Sequence, residues 1–299
     1  MGNGRLTHRG GTALTMVLAS LVGLVSCSHS SGARTSLTVG FKSNQPGLSA
    51  LYGDDTRSKG FDSSLALQVF KTDLGYDFGS KLVNRVEWQR MLTNKDVDAV
   101  FASISVTDDL RKKFIFAGPY LKASLGALTL RKRKRIPVSK LSSLTGLKVC
   151  YVKNSTSEKT IEYDMKSDTS IKSIPADTQQ RCLENLRTKN ADVYISDVPI
   201  LAGLYNSTKQ NKMEFHLDDT TTLANAESQT YGIALRSDEK NLCIKLDKAL
   251  DKELQNSSTK WNDFFTENLN GGQQDTSKID AAKPTETNKE WCNPHSSQG

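Results

Sequence analysis

The chain has 299 residues, with 40 Lys+Arg against 33 Asp+Glu, a formal net charge of +7 and a mean hydropathy of −0.48. These values exclude a polytopic membrane protein and leave enough length for two domains of ordinary size. With 36% apolar and 24% charged residues the chain can bury a core, so disorder is expected only locally.

In chain order, Arg5 and Arg9 precede an uncharged apolar stretch from Ala13 to Val25, the anatomy of a bacterial export signal over residues 1–26. The stretch is short for a transmembrane span. It ends in Leu24-Val25-Ser26-Cys27, which resembles a bacterial lipobox and makes Cys27 the expected lipidated first residue of the mature protein. Residues 27–35 are small and polar, as suits a tether between lipid and domain. Export gives the remaining cysteines a meaning. Cys150, Cys182, Cys243 and Cys292 form an even set in an oxidising compartment, and three pairings are open. Sequence order favours Cys150 with Cys182 and Cys243 with Cys292. No CxxC spacing points to a metal or to redox chemistry.

From Leu37 the pattern is that of an α/β protein. Leu37–Phe41 reads as a buried strand, and Phe61-Asp62 opens a helix carrying Leu65, Ala66, Val69, Phe70 and Leu74, closed by Gly75. Lys81–Val83 is a weak strand, and Gln89–Thr93 a short helix. Asp98–Ala102 is a buried strand running into polar Ser103 and Ser105. Leu125–Leu130 is a strand followed by five basic residues, Arg131–Arg135, which read as a solvated segment rather than a nucleic-acid site. A second α/β unit follows, with strands at Leu147–Val152 and Asp192–Ser196. Its helices are Ser157–Met165, Gln179–Thr188 and Pro199–Tyr205. Tyr231–Leu235 is again a strand, and helical spacing resumes at Leu242, Leu246, Ala249, Leu250 and Leu254. After Asn270 the composition turns to Gly, Gln, Asp, Lys, Thr, Pro and Ser, so residues 270–299 read as a low-complexity tail pinned where Trp291 and Cys292 return.

Several segments, taken in order and spacing, resemble the family 3 extracellular solute-binding proteins of amino-acid ABC importers, particularly the glutamate-type receptors of actinobacteria. They are Val39-Gly40-Phe41-Lys42 with Gln45-Pro46-Gly47-Leu48, Gly60-Phe61-Asp62, Val97–Val100, Ser105–Asp108, Phe116–Tyr120, Val149-Cys150 with Ser155-Thr156-Ser157, Ala191–Asp197, and Tyr231-Gly232-Ile233. The resemblance implies an α/β, two-lobed, periplasmic-binding-protein-like fold with two hinge strands, closing on an amino acid. Lobe 1 is then 36–130 with a return at 230–269, and lobe 2 is 131–229. It implies an ABC permease as partner and a monomer anchored by lipid on the outer face of the cytoplasmic membrane.

The resemblance also assigns a site. A free amino acid needs oriented donors for its carboxylate and an acid for its ammonium. Ser103, Ser105, Thr156 and Ser157 fall on the carboxylate donors and Asp197 on the ammonium acid, the latter also placed to cap the helix opening at Pro199. Lys42, Arg85 and Lys153 are cationic candidates for an acidic side chain, so glutamate or another acidic or polar amino acid is the expected ligand. The family's carboxylate arginine, however, aligns with Leu110, and either Arg111 is aimed inward instead or the clamp is lost. Such a loss fits an alternative, a binding lipoprotein that has left transport and acts as a sensor or surface-partner module.

Catalysis is not expected. No histidine lies near the inferred cleft, and no Ser-His or Cys-His arrangement supports a nucleophile. No cofactor, metal or nucleic-acid motif is found.

Overall fold

The computed structural model describes residues 1–2, 36–51, 58–132, 141–218, 229–255, 260–273 and 275–294. The export signal, Cys27, the tether and the basic residues 133–135 lie outside the described residues. From Arg34 onward the chain forms one compact unit.

The first half alternates strand and helix: β1 (Leu37–Phe41), a two-strand ribbon of β2 (Asn44–Gln45) and β3 (Ser49–Ala50), and α1 (Phe61–Ala66), which continues as wider i→i+5 turns over Leu67–Asp73. Then come β4 (Phe78–Leu82), α2 (Trp88–Thr93), β5 (Ala99–Ser105), α3 (Asp108–Arg111) and β6 (Phe114–Ala123). After Ser124 the chain enters β7 (Leu125–Leu130), β8 (Lys148–Val152), α4 (Thr156–Ser167), β9 (Lys172–Ala176), α5 (Gln179–Arg187), β10 (Val193–Asp197), α6 (Val198–Asn206), α7 (Lys209–Glu214) and β11 (Phe215–Asp218). The last elements are β12 (Gln229–Arg236), α8 (Lys240–Gln255), α9 (Lys260–Asn268), α10 (Thr276–Ala282) and a final 3-10 turn at Lys289–Cys292.

Two five-stranded sheets result, in the orders β4-β1-β5-β12-β6 and β11-β7-β10-β8-β9. In the first, β1 runs parallel to β4 and β5, while β12 is antiparallel to β5 and β6. In the second, β8 is parallel to β9 and β10, and β7 is antiparallel to β10 and β11. The fully buried run of β5 is what a strand covered on both faces requires. Each sheet with its helices makes one lobe, in agreement with the expected α/β two-lobed architecture.

The domain boundary moves. Leu125–Leu130, expected in lobe 1, pairs through Leu125 to Leu128 with β10 and belongs to lobe 2. Crossing therefore occurs at Ser124, because β6 and β7 form one nearly continuous apolar stretch whose assignment depends on pairing partners alone. The return to lobe 1 comes between β11 and β12, and residues 219–228 lie outside the described residues. The weak strand expected at Lys81–Val83 is β4, beginning three residues earlier.

Both disulfides follow sequence order: Cys150 on β8 with Cys182 on α5, and Cys243 on α8 with Cys292. Closing the first loop, a separation of 32 residues, restricts the unfolded chain by an amount worth about 3–4 kcal/mol. The second fastens a C-terminal segment more regular than its composition suggested. Asp275 accepts from Ser277 N and Lys278 N and so caps α10. Ile279 is buried, Thr287 N donates to Asp251, and Asn288 N donates to the carbonyl of Gly118 on β6. A few anchoring contacts, rather than bulk hydrophobicity, order this strap.

Candidate functional site

The strand ends of the two sheets face one another across a cleft of about 460 Å³, within the range of small-ligand pockets. Lobe 1 contributes Lys42 after β1, Arg85 and Trp88 around the start of α2, Ser103 and Ser105 at the end of β5, and Leu110 on α3. Lobe 2 contributes Asn154 to Ser157 at the start of α4, Ser196 and Asp197 at the end of β10, and Ile200 on α6. Of the site residues expected from sequence, Lys42, Arg85, Ser103, Ser105, Thr156, Ser157 and Asp197 line this cleft. Arg111 and Lys153 do not.

Lys42 is 7% exposed and sits among charges. Burial and the neighbouring Arg85 guanidinium hold its ammonium down to about 7, against the opposing pull of Asp62 and Asp197. Behind it lies a hydrogen-bonded layer that sequence reasoning passed over. Ser103 takes a positive φ of 46°, a sparsely populated conformation for a residue with a side chain. Its N–H donates to Tyr120 Oη at 3.1 Å, its hydroxyl donates to Gln45 Oε1, and Tyr120 Oη donates to Asp62 Oδ1 at 3.2 Å. Burial lifts the Asp62 carboxyl to about 7, with Lys42 and the Tyr120 hydrogen bond pulling the other way. Ser103 is thus spent largely on shaping the strand end. Ser105 is the one of the pair whose hydroxyl is not drawn into this layer.

Asp197 is 4% exposed and occupies the position before α6, yet its carboxylate makes no capping bond. Its Oδ2 accepts from Tyr231 Oη at 2.5 Å, and its buried Oδ1 has no partner. Burial pushes the carboxyl up, opposed by the Tyr231 hydrogen bond and by Arg85 and Lys42. A buried, unsatisfied carboxylate oxygen on a cleft-lining residue has the capacity to accept a hydrogen-bond donor or cation. Tyr231 and Tyr120 stood in the family-like segments, so the signal for this layer was present, but only strand adjacency gives it meaning.

On the facing edge Ser155 caps α4: its Oγ accepts from Glu158 N at 3.1 Å and donates to the Val152 carbonyl at 2.6 Å. Glu158 reaches back to Asn154 N at 2.6 Å. The first-turn N–H groups of Thr156 and Ser157 have no intrahelical acceptors, and with the helix dipole they form an anion-accepting edge. Arg85 NH1 donates across the cleft to the Asn154 carbonyl at 3.4 Å and so spans the two lobes beside that edge.

The clamp question resolves on α3. Thr107 caps this turn, and Leu110 faces the cleft. Arg111, one residue on, lies about 100° around the helix, and its guanidinium donates to the Glu290 carbonyl at 3.1 Å in the C-terminal strap. It does not take the arginine's place at the cleft. Lys153 pairs with Asp177 at 2.9 Å on the solvent side of β8. The four cations lining the cleft, Lys42, Arg85, Lys113 and Lys159, face two carboxylates, Asp109 and Asp197. Asp109 is paired with Lys112 at 3.1 Å, and the balance is cationic.

Among described proteins, the chain is 26% identical to the glutamate-binding protein GluB of Corynebacterium efficiens, over 92% of this chain and 95% of that protein. It is 26% identical to the ABC transporter glutamine-binding protein GlnH of Bacillus subtilis, over 65% and 67% respectively. The fold superposes on an ancestral arginine-binding protein bound to glutamine with a TM-score of 0.65, at 20% identity, covering 79% of this chain and 98% of that one. Residues 37–264 match the family model described as bacterial extracellular solute-binding proteins, family 3, and with its two lobes and interlobe cleft this chain belongs to that family.

Proposed function

We propose that this protein is a lipid-anchored receptor on the outer face of the bacterial cytoplasmic membrane that captures an acidic amino acid, with glutamate the leading ligand, and presents it to an ABC permease. Cys27 is the lipid attachment point in this reading. The ammonium goes to Oδ1 of Asp197, the α-carboxylate to the α4 edge and Ser105, and the side-chain carboxylate to Lys42 and Arg85. The observation that carries the reading is the pairing of buried Lys42 and bridging Arg85 with the unpartnered oxygen of Asp197 in one cleft. Opposite formal charges at two ends of a small cavity suit a zwitterion carrying an extra anion. The glutamate-binding relative supports the same choice. No bond is made or broken; capture and release by lobe movement are the whole activity.

The test is isothermal titration calorimetry on the chain from Ser28, freed of carried-over ligand by unfolding and refolding with its disulfides intact. Glutamate and aspartate are expected to bind at micromolar affinity or tighter, with glutamine and asparagine weaker. A preference for arginine or histidine would overturn the assignment. One observation favours a second reading: Leu110 stands where the family places its arginine, and Arg111 is held away from the cleft. Folded protein that gives no heat with any amino acid would favour a sensor or surface-partner module that has left transport.

A further inference from the structure

We propose that a second cavity, separate from the amino-acid cleft, binds a small organic anion that carries an apolar body. The cavity is about 770 Å³ and shares no lining residue with the cleft. Helix α6 divides them: Asp197 and Ile200 face the cleft, whereas Pro199 and Ala202 face the second cavity. Lobe 1 supplies Phe265 from α9 and Leu269 just after it, and α10 closes one side with Ala281. Helix α10 lies beyond residue 264, where the family match ends.

The charge around this apolar floor is one-sided. Lys122, Arg131, Lys212 and Lys278 line it beside His216, and the single carboxylate among the described lining residues, Asp275, caps α10. Arg131 is held in place by neutral acceptors: its Nε donates to the carbonyls of Lys212 and Phe215 at 3.0 and 2.7 Å, and NH2 donates to Tyr205 Oη at 3.0 Å. A guanidinium fixed by carbonyls and a hydroxyl keeps its full positive charge for a further anion. His216 Nε2 on β11 is buried and has no hydrogen-bond partner. Buried polar nitrogens are satisfied in the great majority of proteins, so an orphan on a residue lining this cavity marks the place of a hydrogen-bond partner. The volume and the apolar floor call for more than an inorganic ion; a carboxylate, sulfonate or phosphate attached to a ring or short chain fills both parts.

The probe pair is 1-anilinonaphthalene-8-sulfonate and N-phenyl-1-naphthylamine, which share an apolar body and differ in the anionic group. Fluorescence titration of the chain from Ser28, held at saturating glutamate to block the cleft, is expected to give one saturable sulfonate-probe site. The uncharged probe should bind roughly tenfold more weakly, the scale of one lost charge-assisted contact. Lys122→Ala with Lys212→Ala should weaken the sulfonate probe by about the same factor and leave the uncharged probe unchanged. Ala281→Trp, at an exposed position of α10, should exclude both probes while circular dichroism reports an intact fold. Absence of a saturable site, equal affinity for the two probes, or sulfonate-probe binding that survives both variants would overturn the proposal.

Discussion

The two lobes bring different kinds of charge to the cleft. Lobe 1 offers formal cations, with Lys42 resting on a buried layer in which Gln45, Ser103, Tyr120 and Asp62 are bonded in sequence. Lobe 2 offers the partial charge of a helix start, Lys159 from that same helix and one carboxylate, and that carboxylate borrows its orienting hydrogen bond from Tyr231, on a strand of lobe 1. The first edge is rigid and costly to charge; the second is cheap to build and is completed by contact with its neighbour. A ligand that bridges them relieves the burial strain of Lys42 on one side and satisfies Asp197 Oδ1 on the other.

The largest break in this asymmetry is Asp197→Ala. Removing the proposed acceptor of the ammonium while leaving the cations in place should weaken any amino-acid ligand by about 30-fold or more, as truncating one member of a buried charge pair does. Calorimetry reads it, and unchanged affinity would move the ammonium site elsewhere. Lys42→Met comes next. It should lower glutamate affinity roughly tenfold relative to glutamine, whereas an equal loss for both would mean that Lys42 shapes the pocket without reading the side chain.

Titration sharpens the contrast further. The unfolded chain ionises Asp62 above about 4 while the folded protein keeps it protonated up to about 7, so stability of the ligand-free protein should fall as pH rises through that window. Lys42 acts in the opposite sense. Its folded pKa of about 7 lies below the unfolded value, so the unfolded chain holds the extra proton and stability should recover between about 7 and 10. Melting temperatures across pH test both limbs, and Lys42→Met should remove the upper one. At pH 8 glutamate should also draw a proton onto Lys42, seen as a buffer-dependent binding enthalpy that the same variant abolishes. The smallest effect belongs to Arg111→Ala: with its guanidinium on the Glu290 carbonyl, affinity should change less than about twofold, the size expected of a surface contact outside the site.

Strand ends were legible in the sequence because buried runs that turn abruptly polar leave a mark, which pointed to Ser103 and Ser105, while Asp197 came from the family resemblance. Both disulfides were legible from order once export was recognised. The layer beneath Lys42 was not, since Gln45, Asp62 and Tyr120 sit on separate elements and meet only when β5 lies between β1 and β12. The fate of Arg111 was equally hidden: its partner is 179 residues away in a segment whose composition announces no structure. The crossing point was misplaced because Leu125–Leu130 has the same apolar character in either sheet.

Gly47 and Gly203 bring backbone of the two lobes close together outside the cleft. Gly47, at a φ of +77°, carries the ribbon of lobe 1 against α6 of lobe 2, where a Cβ on it would come within 2.7 Å of Gly203 Cα and of the Asn268 carbonyl. A Cβ on Gly203 would overlap the Pro46 carbonyl oxygen. Backbone resting on backbone makes a fulcrum with no compressible padding. Gly203→Ala would wedge it, prising the lobes apart at a place no ligand touches and shortening the time a captured amino acid stays inside.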